Sequence, residues 1–253
     1  MKHVPLIFVL LFLAVSVVAQ APPPFNTNFP LTEDPISQAG NWVGGQSAGG
    51  NLWGNVQTTP GLAFGVSEPT QFGDPTAILT GTWGADQTAS ATVKINTTPT
   101  GTCCHEVEVR LRMTISSNSI KGYEVYCSVM PNNPYCHIAR WNGPSGSYCN
   151  IESSSPKTYL ANGDVLMGTV TGTNPVIITG YKQGAQIMQA QDTGASCSTG
   201  GAAGPWTSGN PGIGFYDSQD NKWNQFGFSS FTASGQSTSQ KPNPPTGLTA
   251  IVD

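Results

Sequence analysis

Charged and aliphatic side chains alternate along residues 106–113, which read Glu-Val-Glu-Val-Arg-Leu-Arg-Met. Because successive side chains of an extended chain point to opposite faces of a sheet, this pattern predicts a half-buried β-strand. The aliphatic residues, expected on the buried face, are Val107, Val109, Leu111 and Met113. The charged residues, expected on the opposite face, are Glu106, Glu108, Arg110 and Arg112.

The next two predicted strands, residues 122–129 and 135–141, add aromatic and further polar side chains to the same polar face. These additional residues are Glu124, Tyr126, Tyr135, His137 and Trp141. Carboxylates and guanidinium groups hydrogen-bond hydroxyls, aromatic rings stack on the apolar faces of sugars, and arginine binds a uronate carboxylate in bidentate fashion. We therefore predict a carbohydrate-binding face and no catalytic set. Its residues are Glu108, Arg110, Arg112, Tyr126, His137 and Trp141.

The alternative is an ordinary solvated sheet face, on which cross-strand Glu–Arg pairs contribute about 0.2–1 kcal/mol each. A lone histidine such as His137 is more often a polar neighbour than a catalytic base. The remaining tryptophans are expected in core or loop packing, and Trp206, in a glycine-rich loop, is the best exception.

The elements that must position this face are strands. Only 9% of the residues are charged, and the chain contains 30 glycines and 20 prolines. About twelve short alternating segments separated by turn residues, with no helical segment between them, predict an all-β antiparallel sandwich or barrel. We expect a signal peptide over residues 1–21, one domain over residues 22–234, and a flexible linker and tail over residues 235–253.

The first residues indicate export. Leu6 to Val18 is almost entirely apolar, small residues stand at Ala19 and Ala21, and three prolines follow. This is the pattern of a cleaved secretory signal peptide, and an uncleaved N-terminal anchor is the alternative. We predict a secreted protein, extracellular or periplasmic, that does not insert into a membrane after signal removal. The net charge of −4 without a basic cluster predicts no nucleic-acid partner.

The six cysteines do not have zinc-site spacing, and disulfides are expected in an oxidising compartment. Cys127 and Cys136 fall on one face of neighbouring predicted strands, which makes a cross-strand disulfide reasonable, with free buried thiols as the alternative. Asp192, Asp217 and Asp220 are candidate calcium ligands near loops, but the chain has no EF-hand string. We predict no cofactor and no metal.

Several segments resemble the concanavalin A-like lectin/glucanase jelly roll, most closely the laminin-G-like domains of exported bacterial proteins. The resemblance covers roughly residues 25–234 and includes Glu-Val-Arg-Leu-Arg at 108–112, Gly-Tyr-Glu-Val-Tyr at 122–126 and Ile-Ala-Arg-Trp-Asn-Gly at 138–143. The resemblance implies two curved antiparallel sheets, with any ligand on the concave sheet or at its rim.

The catalytic motifs of this superfamily are absent or partial. The Glu-x-Asp-x-x-Glu strand of its glucanases does not occur. Arg110-Leu111-Arg112 and Cys136-His137-Ile138 match only fragments of its alginate lyase motifs. Our first hypothesis is therefore a non-catalytic, carbohydrate-binding or adhesion-like protein. The second is a polysaccharide lyase or glycoside hydrolase; a lyase would use His137, Tyr126 or Tyr135, and Arg110 or Arg112. The third is a structural surface protein.

Overall fold

The computed structural model describes residues 24–45, 53–66, 74–101, 103–116, 119–143, 146–197, 203–217 and 223–236. The predicted signal peptide, Asp220 and all but the first two residues of the predicted tail lie outside these ranges. The described residues form fifteen strands in two antiparallel sheets, with one 3₁₀ turn at Trp223–Gln225. The predicted all-β, two-sheet antiparallel sandwich is confirmed.

The first sheet has eight strands, in the order β13-β12-β11-β6-β15-β4-β3, with β1 also paired to β15. Its strands are β1 (Phe25–Thr27), β3 (Asn55–Thr59), β4 (Leu62–Val66), β6 (Trp83–Ile95), β11 (Val165–Thr171), β12 (Val176–Lys182), β13 (Ala185–Asp192) and β15 (Phe226–Gln236). We call it the eight-stranded sheet.

The second sheet has seven strands, in the order β10-β9-β8-β7-β14-β5-β2. Its strands are β2 (Trp42–Gly44), β5 (Thr76–Leu79), β7 (His105–Ser116), β8 (Ser119–Ser128), β9 (Cys136–Gly143), β10 (Tyr148–Asn150) and β14 (Asn210–Asp217). We call it the seven-stranded sheet, and all the predicted binding residues lie on three of its strands, β7, β8 and β9.

The core lies between the two sheets. Val107, Val109 and Leu111 are fully buried there, as the alternating pattern predicts, and phenylalanines of β14 and β15 pack in the same cluster. Each such aliphatic side chain contributes about 1.5–3 kcal/mol by leaving water. This burial orients β7, because it forces the residues between the aliphatic positions, among them Glu108 and Arg110, onto the other face of the sheet.

The alternation breaks at Arg112, and the predicted orientation of that residue is wrong. The register of β7 against β8 shifts between Leu111 and Thr114, and Arg112 has a φ of 49°. Such a bulge adds a residue to one strand and reverses which face the following side chains reach. Met113, predicted in the main core, instead packs with Trp53 and Trp141 on the outer face of the sheet.

All six cysteines are paired, as Cys103–Cys104, Cys127–Cys136 and Cys149–Cys197. Cys127 and Cys136 stand directly opposite each other in the β8–β9 register, which confirms the cross-strand pair over the free-thiol alternative.

No helix among the described residues is long and apolar enough to cross a membrane.

Candidate functional site

A pocket with a cavity volume of about 280 Å³ opens on the face of the seven-stranded sheet that points away from the core. We call it the cleft. The residues that line it are Trp53, Asp74, Cys104, Glu106, Glu108, Glu124, Tyr126, Trp141, Gly146, Tyr148 and Tyr216. Strands β7, β8, β9, β10 and β14 supply most of these side chains, while Trp53 and Asp74 come from segments outside the named strands.

The floor of the cleft holds one arginine among three carboxyl groups. One Arg110 Nη donates to Asp74 Oδ1 at 2.6 Å and to Glu108 Oε2, and the other donates to Glu124 Oε2 at 2.5 Å. Arg110 and Glu124 face each other in the β7–β8 register, and all four side chains are largely removed from water. Charge-assisted hydrogen bonds of this kind are about twice as strong as neutral ones, so they hold the guanidinium in place.

Two glycines of β14 lie beside the charged residues of β7, and one of them, Gly214, makes room for this cluster. Gly212 pairs with Arg110 and Gly214 pairs with Glu108. A Cβ at position 214 would collide with the Glu108 carboxylate and with the Arg110 guanidinium. The absence of a side chain on β14 is therefore what allows Arg110 and Glu108 to lie flat against the sheet.

Three carboxyl groups share this single guanidinium and a fourth, Glu106, lies beside them; the pKa values of all four are shifted. Burial raises the pKa of Glu106 to about 8, partly opposed by the hydrogen bond from Tyr135, and that of Glu124 to about 7, partly opposed by the attraction of Arg110. Burial also raises the pKa values of Glu108 and Asp74, again against the attraction of Arg110. For Arg110 itself, burial lowers the pKa, but the three carboxylates outweigh it and the net shift is upward. The cleft therefore contains carboxyl groups that keep their protons near neutral pH.

One wall of the cleft is aromatic. The Trp141 ring lies 4.9 Å from the Tyr148 ring and 5.0 Å, edge-on, from the Trp53 ring, measured between centroids. Its indole Nε1 donates to Glu124 Oε2 at 2.5 Å, and the Arg110 guanidinium lies 5.7 Å from its ring centre. Tyr148 is 38% exposed while Trp141 is buried, so Tyr148 presents an aromatic surface at the rim.

A second aromatic group adjoins the cleft at the other end of β8 and β9. The rings of Tyr126, Tyr135 and His137 lie 5.3–6.3 Å apart between centroids. The Tyr135 hydroxyl donates to Glu106 Oε1 at 2.5 Å. His137 is held through Nδ1 by Glu152 at 2.5 Å, which fixes its ring at the edge of the cleft rather than inside it.

The cleft is lined by three of the six predicted binding residues, Glu108, Tyr126 and Trp141, and a fourth, Arg110, lies beneath them and is paired with Glu108. His137 touches Tyr126 but does not line the pocket. The predicted place of Arg112 on the binding face is wrong. Its three side-chain nitrogens donate to the backbone carbonyls of Ala85, Gly172 and Trp206 at 2.5–2.9 Å. Because two of these carbonyls belong to the β6 and β11–β12 region of the other sheet, Arg112 ties the sheets together.

The alternative of an ordinary solvated sheet face is wrong, because Glu108, Arg110 and Glu124 are almost completely buried. Nor is the guanidinium of Arg110 available to a uronate, as its hydrogen bonds go to three carboxyl groups of the protein itself.

The sequence analysis missed several lining residues, namely Trp53, Asp74, Tyr148 and Tyr216. Trp53 and Asp74 are distant in sequence from β7–β9 and carry no local signal. Tyr216 could have been found, since it alternates with the buried Phe215 on β14. Glu106 was placed on the correct face but left out of the binding set, and it lies in the cleft.

Oxygen atoms of Asp74, Glu108 and Glu124 lie within 4.8 Å of one another, as in a cation site. Arg110 already donates to all three, so a metal ion would have to displace the guanidinium. Of the calcium candidates, Asp192 is bonded to Arg140 and Tyr123, and Asp217 lies 3.0 Å from His105.

Comparison with protein-family models and with curated protein sequences finds no match. Among solved structures, the carbohydrate recognition domain of Emp46p in its metal-free form aligns with 82% of this chain and 94% of its own, at 11% identity and a TM-score of 0.49. The exoplasmic/lumenal domain of VIP36, in a Ca²⁺/Man3GlcNAc-bound form, covers 82% and 90% at 10% identity and a TM-score of 0.49. The Emp47p carbohydrate recognition domain covers 88% and 100% at 9% identity and 0.47. At these values the likeness carries no conclusion about the ligand of this chain.

Proposed function

We propose that the cleft is a carbohydrate-binding site. The observation that carries the proposal is the adjacent Trp141–Tyr148 ring pair beside a group of carboxyls in one concave pocket. A sugar presents an apolar face that stacks on aromatic rings and a rim of hydroxyls that donate to carboxylates. The cavity volume lies near the lower end of the roughly 300–1,000 Å³ typical of small-molecule sites, which suits one or two sugar units.

The half-exposed ring of Tyr148 is the expected entry platform. Trp141 lies behind it and is held by its hydrogen bond to Glu124, so the stacking surface is preorganised. Trp53 adds a donor, because its indole Nε1 is buried at the cleft without a hydrogen-bond partner among the described residues. Leaving a buried donor without a hydrogen-bond partner is energetically costly, and a ligand hydroxyl would accept its hydrogen bond.

A glycan array followed by titration calorimetry on the hits tests the proposal. We expect binding to at least one polysaccharide class and a loss of about tenfold or more in affinity for Tyr148→Ala, the scale of about 1.4 kcal/mol. Tyr181→Ala, a half-buried tyrosine on β12 of the other sheet, is the matched control and should bind normally. No binding to any glycan, or equal losses in the two variants, would refute the proposal.

A second candidate is glycoside hydrolysis. The specific observation in its favour is that Glu108 and Glu124 have carboxyl oxygens within 4.8 Å of each other, while burial raises the pKa of nearby Glu106 to about 8. Retaining glycosidases need two carboxyl groups about 5–5.5 Å apart, one of them protonated at working pH. Polysaccharide lyase chemistry is less well supported, because Arg110 is already paired and cannot neutralise a uronate.

Release of reducing ends from the glycans that bind separates the two candidates. Turnover by the wild type that disappears in Glu106→Gln supports hydrolysis. Tight binding without turnover supports the non-catalytic site.

The export of this chain is also part of the proposal. All six cysteines are paired, as in proteins of oxidising compartments. Cleavage of residues 1–21, the domain boundaries at 22 and 234, and the kinship with laminin-G-like domains of exported bacterial proteins stay predictions. Expression with the native N-terminus and sequencing of the secreted product checks the first; we expect it to begin at Pro22.

A further inference from the structure

The cleft is unusually rich in acid. Asp74, Glu106, Glu108 and Glu124 line it, and no lining residue in the described part of the chain is basic. Arg110, beneath them, donates to Asp74, Glu108 and Glu124. Glu106 is the exception, because its hydrogen bond comes from the neutral hydroxyl of Tyr135. Among the acidic residues that line the cleft, Glu106 is therefore the one without a hydrogen bond from a cation.

We propose that the cleft selects glycans with a protonated amino group, such as glucosamine oligomers, and that Glu106 receives the ammonium. This inference rests on the proposed carbohydrate-binding function and names the chemical class of its ligand. A primary ammonium would give Glu106 a cationic hydrogen-bond donor, and its three N–H groups match carboxylate oxygens. The rings of Trp141 and Tyr148 add attraction for a cation, since aromatic faces carry negative potential.

The electrostatic position of Glu106 supports its role. Burial is the main cause of the raised pKa values of Tyr126, Tyr135, Tyr148 and Tyr216, and Glu106, when it ionises, raises them further. The orphan donor of Trp53 is a second, independent sign that a ligand completes the cleft, because a sugar hydroxyl can accept from the indole.

The same groups disfavour two other ligand classes. A uronate would bring another carboxylate to a cleft that already has four carboxyl groups, and the buried Arg110 guanidinium already donates to three of them. A metal ion would have to compete with the Arg110 guanidinium for Asp74, Glu108 and Glu124. An N-acetylated sugar keeps the stacking surface but lacks the charge.

The proposal has a thermodynamic signature that stacking alone lacks. Burial raises the pKa of Glu106 to about 8, so this carboxyl is protonated in the free protein at about pH 6. An ammonium beside it favours the ionised form, and binding must then release a proton. The released proton appears in calorimetry as a binding enthalpy that depends on the ionisation enthalpy of the buffer.

The test is titration calorimetry at about pH 6 with trimers of glucosamine, N-acetylglucosamine and galacturonate, in two buffers of different ionisation enthalpy. We expect the glucosamine trimer to bind about tenfold or more tightly than the N-acetylglucosamine trimer and to release protons. The galacturonate trimer should bind most weakly. Trimers are used because the chain has a net charge of −4, and a long polycation would adhere to it without a site.

Glu106→Gln is the decisive variant. It keeps the acceptor for Tyr135 and copies the protonated carboxyl, so the fold is retained. It should bind both amino and N-acetyl trimers alike, with no proton release. Asp34→Asn makes the same acid-to-amide replacement at an exposed carboxylate, so it is the control and should behave as wild type.

The outcomes separate the two claims. If no trimer and no other glycan binds, the proposed function fails. If the N-acetylglucosamine or galacturonate trimer binds as well as the glucosamine trimer, or if Glu106→Gln keeps the preference, the inference about the amino group is wrong while the binding site stands.

Discussion

Arg110 and Arg112 are two residues apart on β7 and both are fully buried, but they donate hydrogen bonds to different kinds of acceptor. Arg110 donates to the carboxyl groups of Asp74, Glu108 and Glu124, whereas Arg112 donates mainly to backbone carbonyls. Replacing each with Met, which keeps the length of the side chain, should therefore destabilise the protein in two different ways. The cost of Arg110→Met should depend on pH, and that of Arg112→Met should not.

The size of the effect follows from proton linkage. Without Arg110, at least one further carboxyl must be protonated in the folded protein. Protonating a carboxyl of ordinary pKa about 4.5 costs about 1.4 kcal/mol per pH unit above that value, hence about 4 kcal/mol at pH 7.5 and about 0.7 kcal/mol at pH 5. The value at pH 7.5 falls in the range of about 3–5 kcal/mol seen when one partner of a buried ion pair is removed.

The sign can be checked directly. In Arg110→Met the folded state binds more protons than the unfolded state between pH 5 and 7.5, so its stability falls as pH rises. Arg112→Met leaves carbonyls unpaired, at about 1–3 kcal/mol each, and these do not titrate. Its nearest charged contact, Asp86 at 3.6 Å, is 70% exposed and contributes little.

Urea unfolding of the wild type and both variants at pH 5, 6, 7 and 7.5 measures these costs. If Arg110→Met does not fold at pH 7.5, the double variant Arg110→Met/Glu108→Gln should regain stability, because it removes one of the stranded carboxylates. A cost for Arg110→Met that is the same at pH 5 and pH 7.5, or a matching pH dependence in Arg112→Met, would refute the reasoning.

Three further predictions concern the same sheet. In urea unfolding, the wild type should lose stability as pH rises from about 5 to 8. The pKa values of Glu106 (about 8) and Glu124 (about 7) are raised by folding, so over this interval the folded state holds protons that the unfolded state has released. A stability that rises over this interval would contradict these shifts. Gly214→Ala should lower the free energy of unfolding by about 3–5 kcal/mol and abolish glycan binding, because its Cβ would enter the Glu108–Arg110 contact. Gly61→Ala is the control: nothing lies near its Cβ, but its φ is +79°, so it should lower the free energy of unfolding by about 1–2 kcal/mol. Replacing Cys127 and Cys136 together with Ala should lower the free energy of unfolding by about 2–3 kcal/mol, because their disulfide closes a short loop, and a chemically reduced wild type should unfold at least as easily.

The fold class and the inward face of the middle strands were open to prediction from the sequence. Val107, Val109 and Leu111 recur every second residue, and burying one face of a strand leaves one register available. The same two-residue alternation places Glu108, Arg110 and Tyr126 together on the outer face. The pairing of Cys127 with Cys136 follows from their positions on adjacent strands. These are local or next-neighbour properties, and a sequence records them directly.

The tertiary structure decided what the polar face became. The bulge at Arg112 reverses the alternation that the sequence pattern implies, because a bulge depends on how β7 meets β8 and β14 rather than on the residues of β7 alone. Asp74 and Trp53 lie in the cleft but come from distant parts of the chain. Asp74 adds a third carboxyl group around Arg110, and Trp53 adds an aromatic ring to the cleft wall. Burial, charge sharing and the protonation of Glu106 are consequences of that assembly, since desolvation exists only once the chain has folded around the group.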